Sequence, residues 1–84
     1  MRASAIPYRT EIERSLSSGE SVVIDFAGND VTQSFVDELI GALILKEGRQ
    51  VVSRLAFENC TNDVKGIIKF VVHDRVRQLQ KLPA

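Results

Sequence analysis

Four acids fall close together along the first half of this chain: Asp25, Asp30, Asp37 and Glu38. Two carboxylates aimed at one substrate do general acid–base work, and a pair for such chemistry could be drawn from these four. Acids in a first helical turn also have a structural role, because they complement the helix dipole. Ser34 stands among them, where a helical pattern begins. A hydroxyl there reads first as a helix cap, and removing such a cap costs about 1 kcal/mol. The same position suits phosphorylation, since a phosphate would meet free backbone N–H groups and the positive end of the dipole. His73 is the single histidine, on a polar helical face, and Cys60 the single cysteine, read as a small apolar residue at a strand end. No glycine-rich phosphate loop, metal-ligand spacing or nucleophile elbow accompanies these groups. The expectation is a protein that is not an enzyme and uses no metal or cofactor.

The elements that position these residues follow from pattern. Val22 to Phe26 is a short run rich in β-branched residues between Gly19 and Gly28, and predicts a buried strand. Ala27 to Asp30 supplies turn chemistry. The central helix begins near Thr32 or Ser34, and Gly48 closes it. At 100° per residue Phe35, Val36, Leu39, Ile40, Ala42 and Leu43 form one wide apolar face, while Asp37, Gly41 and Ile44 point elsewhere, flanked by Glu38 and Leu45. Upstream, Met1 to Ile6 reads as an edge strand or a tail. A first helix follows Pro7, with Thr10 and Glu13 as a capping box and Tyr8, Ile12 and Leu16 on one face. Downstream, Val51 to Phe57 reads as a second strand, and strand–helix–strand implies a right-handed parallel crossover. Thr61 or Asn62 caps a long last helix. Val64, Ile67, Ile68, Val71, Val72 and Leu79 line its inner face, and Arg75 interrupts them. The core is expected to end near Val72, with the last turns projecting past it. Gly66, Phe70, His73 and Arg77 group on the opposite side and read as an oligomer contact, so a homodimer is expected.

The 84 residues make one small domain of the α/β class, with a short mostly parallel sheet, helices packed on it and the order (β)αβαβα. The net charge of zero hides an asymmetry: residues 1–48 carry four Lys/Arg against eight Asp/Glu, and residues 49–84 carry seven against three. No apolar run is long enough to span a bilayer and the start has no signal-peptide layout, so a cytoplasmic, membrane-free protein is expected.

Certain stretches resemble a known family. Val22-Val-Ile-Asp-Phe26, followed by Ser34-Phe-Val-Asp-Glu-Leu39 with Gly41, is similar to the "DF … SFADE" pattern of the STAS-like domain family of unknown function. Arg9-Thr-Glu-Ile12 looks like that family's Arg-Ser-Glu-Ala approach to the first helix. Phe57-Glu-Asn59, Val64 and the Ile67-Ile68 pair look like its closing strand and helix. The resemblance spans about residues 6–72, leaving residues 73–84 as a helical extension, and Val36 stands where the pattern has alanine. It implies a STAS-like domain related to anti-sigma-factor antagonists, in bacteria or their phages. In that wider group a serine at this helix start is phosphorylated by a histidine-kinase-like ATPase, and the phosphate switches partner binding. Ser34 matches that position, although the antagonists carry Asp-Ser-Gly where this chain has Gln33-Ser34-Phe35.

Two functional readings result. The first is a non-catalytic regulatory module that binds a protein partner in trans through Asp30, Thr32, Ser34, Asp37, Glu38, Gly41 and Leu45. The alternative is a nucleic-acid-associated regulator using Lys65, Lys69, Arg75, Arg77 and Lys81. Helical spacing scatters those five charges, which favours the interaction module.

Overall fold

The computed structural model describes residues 2–81. Helix α1 (Ile6–Ser17) starts one turn earlier than the capping-box pattern predicts, behind a 3-10 turn over Arg2–Ala5. Pro7 explains the shift. At the first helical positions its missing N–H is no loss and its fixed φ favours the helix. Thr10 is therefore inside the helix, its Oγ1 donating to the Ile6 carbonyl at 3.0 Å. No strand forms among residues 2–6, so the optional first strand of the (β)αβαβα order is absent there; Met1 lies outside the described residues. Ile12 and Leu16 are buried as their spacing requires, whereas Tyr8 faces outward and packs its ring against Phe35.

Strands β1 (Val22–Asp25) and β2 (Leu55–Glu58) pair in parallel, with Val22 opposite Leu55 and Asp25 opposite Glu58. Period-2 alternation half-buries Val22, Ile24, Leu55 and Phe57 and leaves Val23, Asp25, Ala56 and Glu58 in solvent. One face of the sheet is thus covered and the other is open. The second strand starts later than Val51 because Arg49–Arg54 form a 3-10 helix. Within it Val51 is buried, and the Arg54 guanidinium donates to the carbonyls of Leu16 at 2.8 Å and Glu20 at 2.7 Å. Those contacts tie the start of β2 to the end of α1, where helical carbonyls lack their own donors.

The central helix occupies residues 33–47 and is not uniform. It begins as α-helix over Gln33–Val36, widens to a π turn over Asp37–Gly41 and returns to α-helix over Ala42–Glu47. Gly48, at φ 95°, ends it. Val36, Leu39, Ile40, Leu43 and Ile44 are all buried. Ile44 is a correction to the 100° projection. Each residue of a π turn advances less around the axis, so residues beyond it swing back towards the interior. Gly41 is also buried, since the last helix packs over it: a methyl there would meet the Asp37 carboxylate and come within 3.1 Å of Arg75 Nε.

The last helix, Asn62–Lys81, buries Val64, Ile68 and Val71. Val76 and Leu79 are half-buried against the core, so the helix does not simply project beyond Val72. The apparent interruption at Arg75 is an ion pair with Asp37 of the central helix. Residues 82–84 lie outside the described part of the chain. The small α/β fold with a long C-terminal helix is the one the sequence pattern predicts.

Candidate functional site

The start of the central helix is built by a loop and two caps. After β1 the chain turns through Ala27 and Gly28, both at positive φ. Alanine rarely adopts that region, and here the Asp25 side chain holds it by accepting the Ala27 N–H at 2.7 Å. Asp25 also accepts from the Asn59 amide at 2.9 Å. These two bonds, the Asn59 amide first, hold the Asp25 carboxyl below its usual pKa. The neighbouring Asp30 accepts from the Thr61 hydroxyl at 2.8 Å, while Thr61 Oγ1 accepts the Val64 N–H at 3.2 Å and caps the last helix.

Thr32, in extended conformation, is the N-cap of the central helix, its Oγ1 accepting the Phe35 N–H at 3.1 Å. Ser34 is therefore the second residue of the helix and not its cap. It is exposed, and among the described residues its hydroxyl makes no hydrogen bond. Replacing Thr32 with Ala should cost about 1 kcal/mol in a thermal melt, while Ser34→Ala should stay within about 0.5 kcal/mol. The reverse order would return the cap to Ser34.

The other residues expected on a partner surface are divided. Asp30, Thr32 and Ser34 lie together and exposed at the helix start. Asp37 and Glu38 turn inward: Asp37 pairs with Arg75, including a bond from Nε at 2.6 Å, and Glu38 pairs with Arg9. Gly41 is covered, and Leu45 is exposed near the other end of the helix. The outer face of the helix is thus not one open surface, because α1 and the last helix close over its middle. The four acids do not converge either. Each has its own partner, Asn59, Thr61, Arg75 or Arg9 respectively.

Arg9 does a second thing. Ala42 gives its N–H to the Asp37 carbonyl, so the Glu38 carbonyl loses the donor that a regular α-helix would supply. Arg9 Nη1 donates to that carbonyl at 3.0 Å. One side chain of α1 therefore secures both the carboxylate and the carbonyl of a π-turn residue.

Two grooves flank the helix start that sequence spacing does not reveal. One is an apolar cleft of about 500 Å³ between α1 and β1, floored by Ile12, Ile24, Phe26, Phe35 and Leu39 with Tyr8 at its mouth. The other runs from Asp30, Val31 and Gln33 to Gly66, Ile67 and Phe70 of the last helix. Phe70 is 54% exposed, and it brings the patch expected on the last helix beside the patch expected around Ser34.

The family model described as "STAS-like domain of unknown function (DUF4325)" matches residues 4–65. The chain belongs to this family. No curated protein and no solved structure matches it. The STAS-like match begins two residues earlier than the resemblance predicts and ends in the first turn of the last helix. It takes in Arg9, both strands, the π turn and Ser34. The two stretches that carry the STAS-like pattern, around Arg9 and around Ser34 to Leu39, meet at the Arg9–Glu38 pair. No helix among the described residues is long and apolar enough to cross a membrane.

Proposed function

We propose that this STAS-like domain is a non-catalytic regulatory module that binds a protein partner through the exposed start of its central helix. The observation that carries this is the placement of Ser34: exposed, relieved of capping by Thr32, and flanked by the exposed side chains of Asp30 and Thr32. A phosphate on Ser34 would meet the positive helix end and add charge to a surface that already bears Asp30 and Asp63. The related anti-sigma-factor antagonists supply the chemical class of partner, a histidine-kinase-like ATPase that phosphorylates the serine in the cytoplasm. The docking surface is narrower than the whole helix face, because Asp37, Glu38 and Gly41 are engaged within the fold.

The test starts from affinity purification in the native host, followed by titration of the recovered ATPase with wild type, Ser34→Asp and Ser34→Ala. Incubation with ATP should add one phosphate to wild type and none to Ser34→Ala. Ser34→Asp should melt as wild type does and shift affinity about tenfold or more, since charge within a contact surface acts strongly. Equal affinity of all three proteins, with no phosphate added, would end this reading.

A further inference from the structure

The last helix turns a row of basic side chains to solvent. Lys65, Lys69, His73, Arg77 and Lys81 follow one another at intervals of four residues, and all five are exposed. A step of four advances about 6 Å along a helix and about 40° around it, so Lys69, His73 and Arg77 keep within about 80° of one another while the full row winds about 160° around the helix over about 24 Å. Arg75, which spacing alone would group with these charges, is not part of the row, being held inward by Asp37. With His73 in its place the row follows one regular winding along the helix. Among the described residues none of the four Lys/Arg side chains in the row has an ion pair.

An exposed aromatic ring lies beside this row. Phe70 neighbours His73 three residues on and Gly66 four residues back. The glycine leaves open space, with nothing within 4 Å of where a Cβ would stand. Asp30 lines the adjoining groove from the opposite wall and Asp63 from the first turn of the last helix, so an anionic chain would keep to the Lys69–His73 side. The apolar face of the helix, Val64, Ile68 and Val71, is spent in the core and is not free to enter a lipid surface. A second copy is a poor occupant as well, since a two-fold axis would set the cationic row against itself.

We propose that this flank binds single-stranded nucleic acid, with the row following the phosphates and Phe70 stacking on a base. Regularly spaced unpaired cations supply the sequence-independent attraction, and an exposed ring beside them supplies a stacking platform. Beyond Lys65 the row lies outside the residues matched by the family, so it belongs to this chain's own last helix. It is also independent of the reading built on Ser34.

The probe is a fluorescent oligothymidylate of about 20 nucleotides, titrated with the full chain while anisotropy is read. Four Lys/Arg contacts predict a slope of about −3 for log affinity against log salt. Lys69→Glu/Arg77→Glu should weaken binding at least about tenfold and make the slope shallower, with the circular dichroism unchanged. Phe70→Ala should keep the slope and lose about fivefold or more. Ser34→Ala should bind as wild type does, which separates this test from that of the partner reading. No binding at low salt would overturn the proposal. Equally tight binding of polyglutamate, with no loss in Phe70→Ala, would overturn it in favour of an acidic protein.

Discussion

Ile44→Ala should lower the unfolding free energy by about 2–4 kcal/mol, the cost of emptying a fully buried aliphatic site. In a domain of this size that corresponds to a fall of about 10–25 °C in the melting temperature. The expectation rests on complete burial of the side chain, at 0% exposure, among residues that also bury Ile40 and Leu43. The adjacent Leu45 is the internal control. It is 40% exposed, and Leu45→Ala should cost less than about 1 kcal/mol. A regular helix projected from sequence puts both residues outside the core-facing arc and predicts small losses at each. Equal melts of the two variants would therefore place Ile44 at the surface and remove the π turn from the account. A large loss at Ile44 alone would support it.

Arg9→Met should cost about 2 kcal/mol while keeping much of the apolar stem of the arginine. Two bonds are lost, one to the Glu38 carboxylate and one to the Glu38 carbonyl, in a region where the paired side chains are only 22% and 19% exposed. Partial solvent access keeps the figure below that of a fully buried ion pair. Glu38→Gln separates the two contributions, because it removes the charge and leaves the carbonyl bond in place. In that background Arg9→Met should still cost about 1 kcal/mol, the ordinary worth of one hydrogen bond. No further loss there would show that Arg9 acts only through charge. The same residue pair links the two stretches that carry the STAS-like resemblance, so its loss should be felt at both ends of the domain. Loosening α1 against the π turn would also disturb the Tyr8–Phe35 contact next to the helix start.

Much of the architecture was legible in the chain itself. The β-branched strand at Val22–Asp25, the Gly48 stop, the Thr61 cap and the inner row of the last helix all depend on local pattern, and local pattern is what a sequence displays. The strand predicted as buried nonetheless leaves one face open, with Val23 in solvent. The parallel pairing of the two strands followed as well, because a helix of this length between two strands leaves few other connections. The family was legible from the spacing of its motif residues. Local competition misled at two places: Pro7 moved the start of α1 and Thr32 took the cap from Ser34. The 3-10 helix over Arg49–Arg54 lies where Arg54 reaches the end of α1, 38 residues earlier.

The remaining decisions were tertiary. Whether Asp37, Glu38 and Gly41 face solvent depends on Arg75, 38 residues after Asp37, and on Arg9, 29 residues before Glu38. No window along the chain contains both partners of either pair. The π turn has the same origin, since the Glu38 carbonyl that Ala42 bypasses takes its donor from Arg9 of another helix. That turn sends Ile44 inward, and the Arg75 pair it faces removes one cation from the exposed flank of the last helix. What the sequence alone determined is the set of elements and their order; which faces remain for a partner was decided by long-range pairs that exist only once the helices have packed.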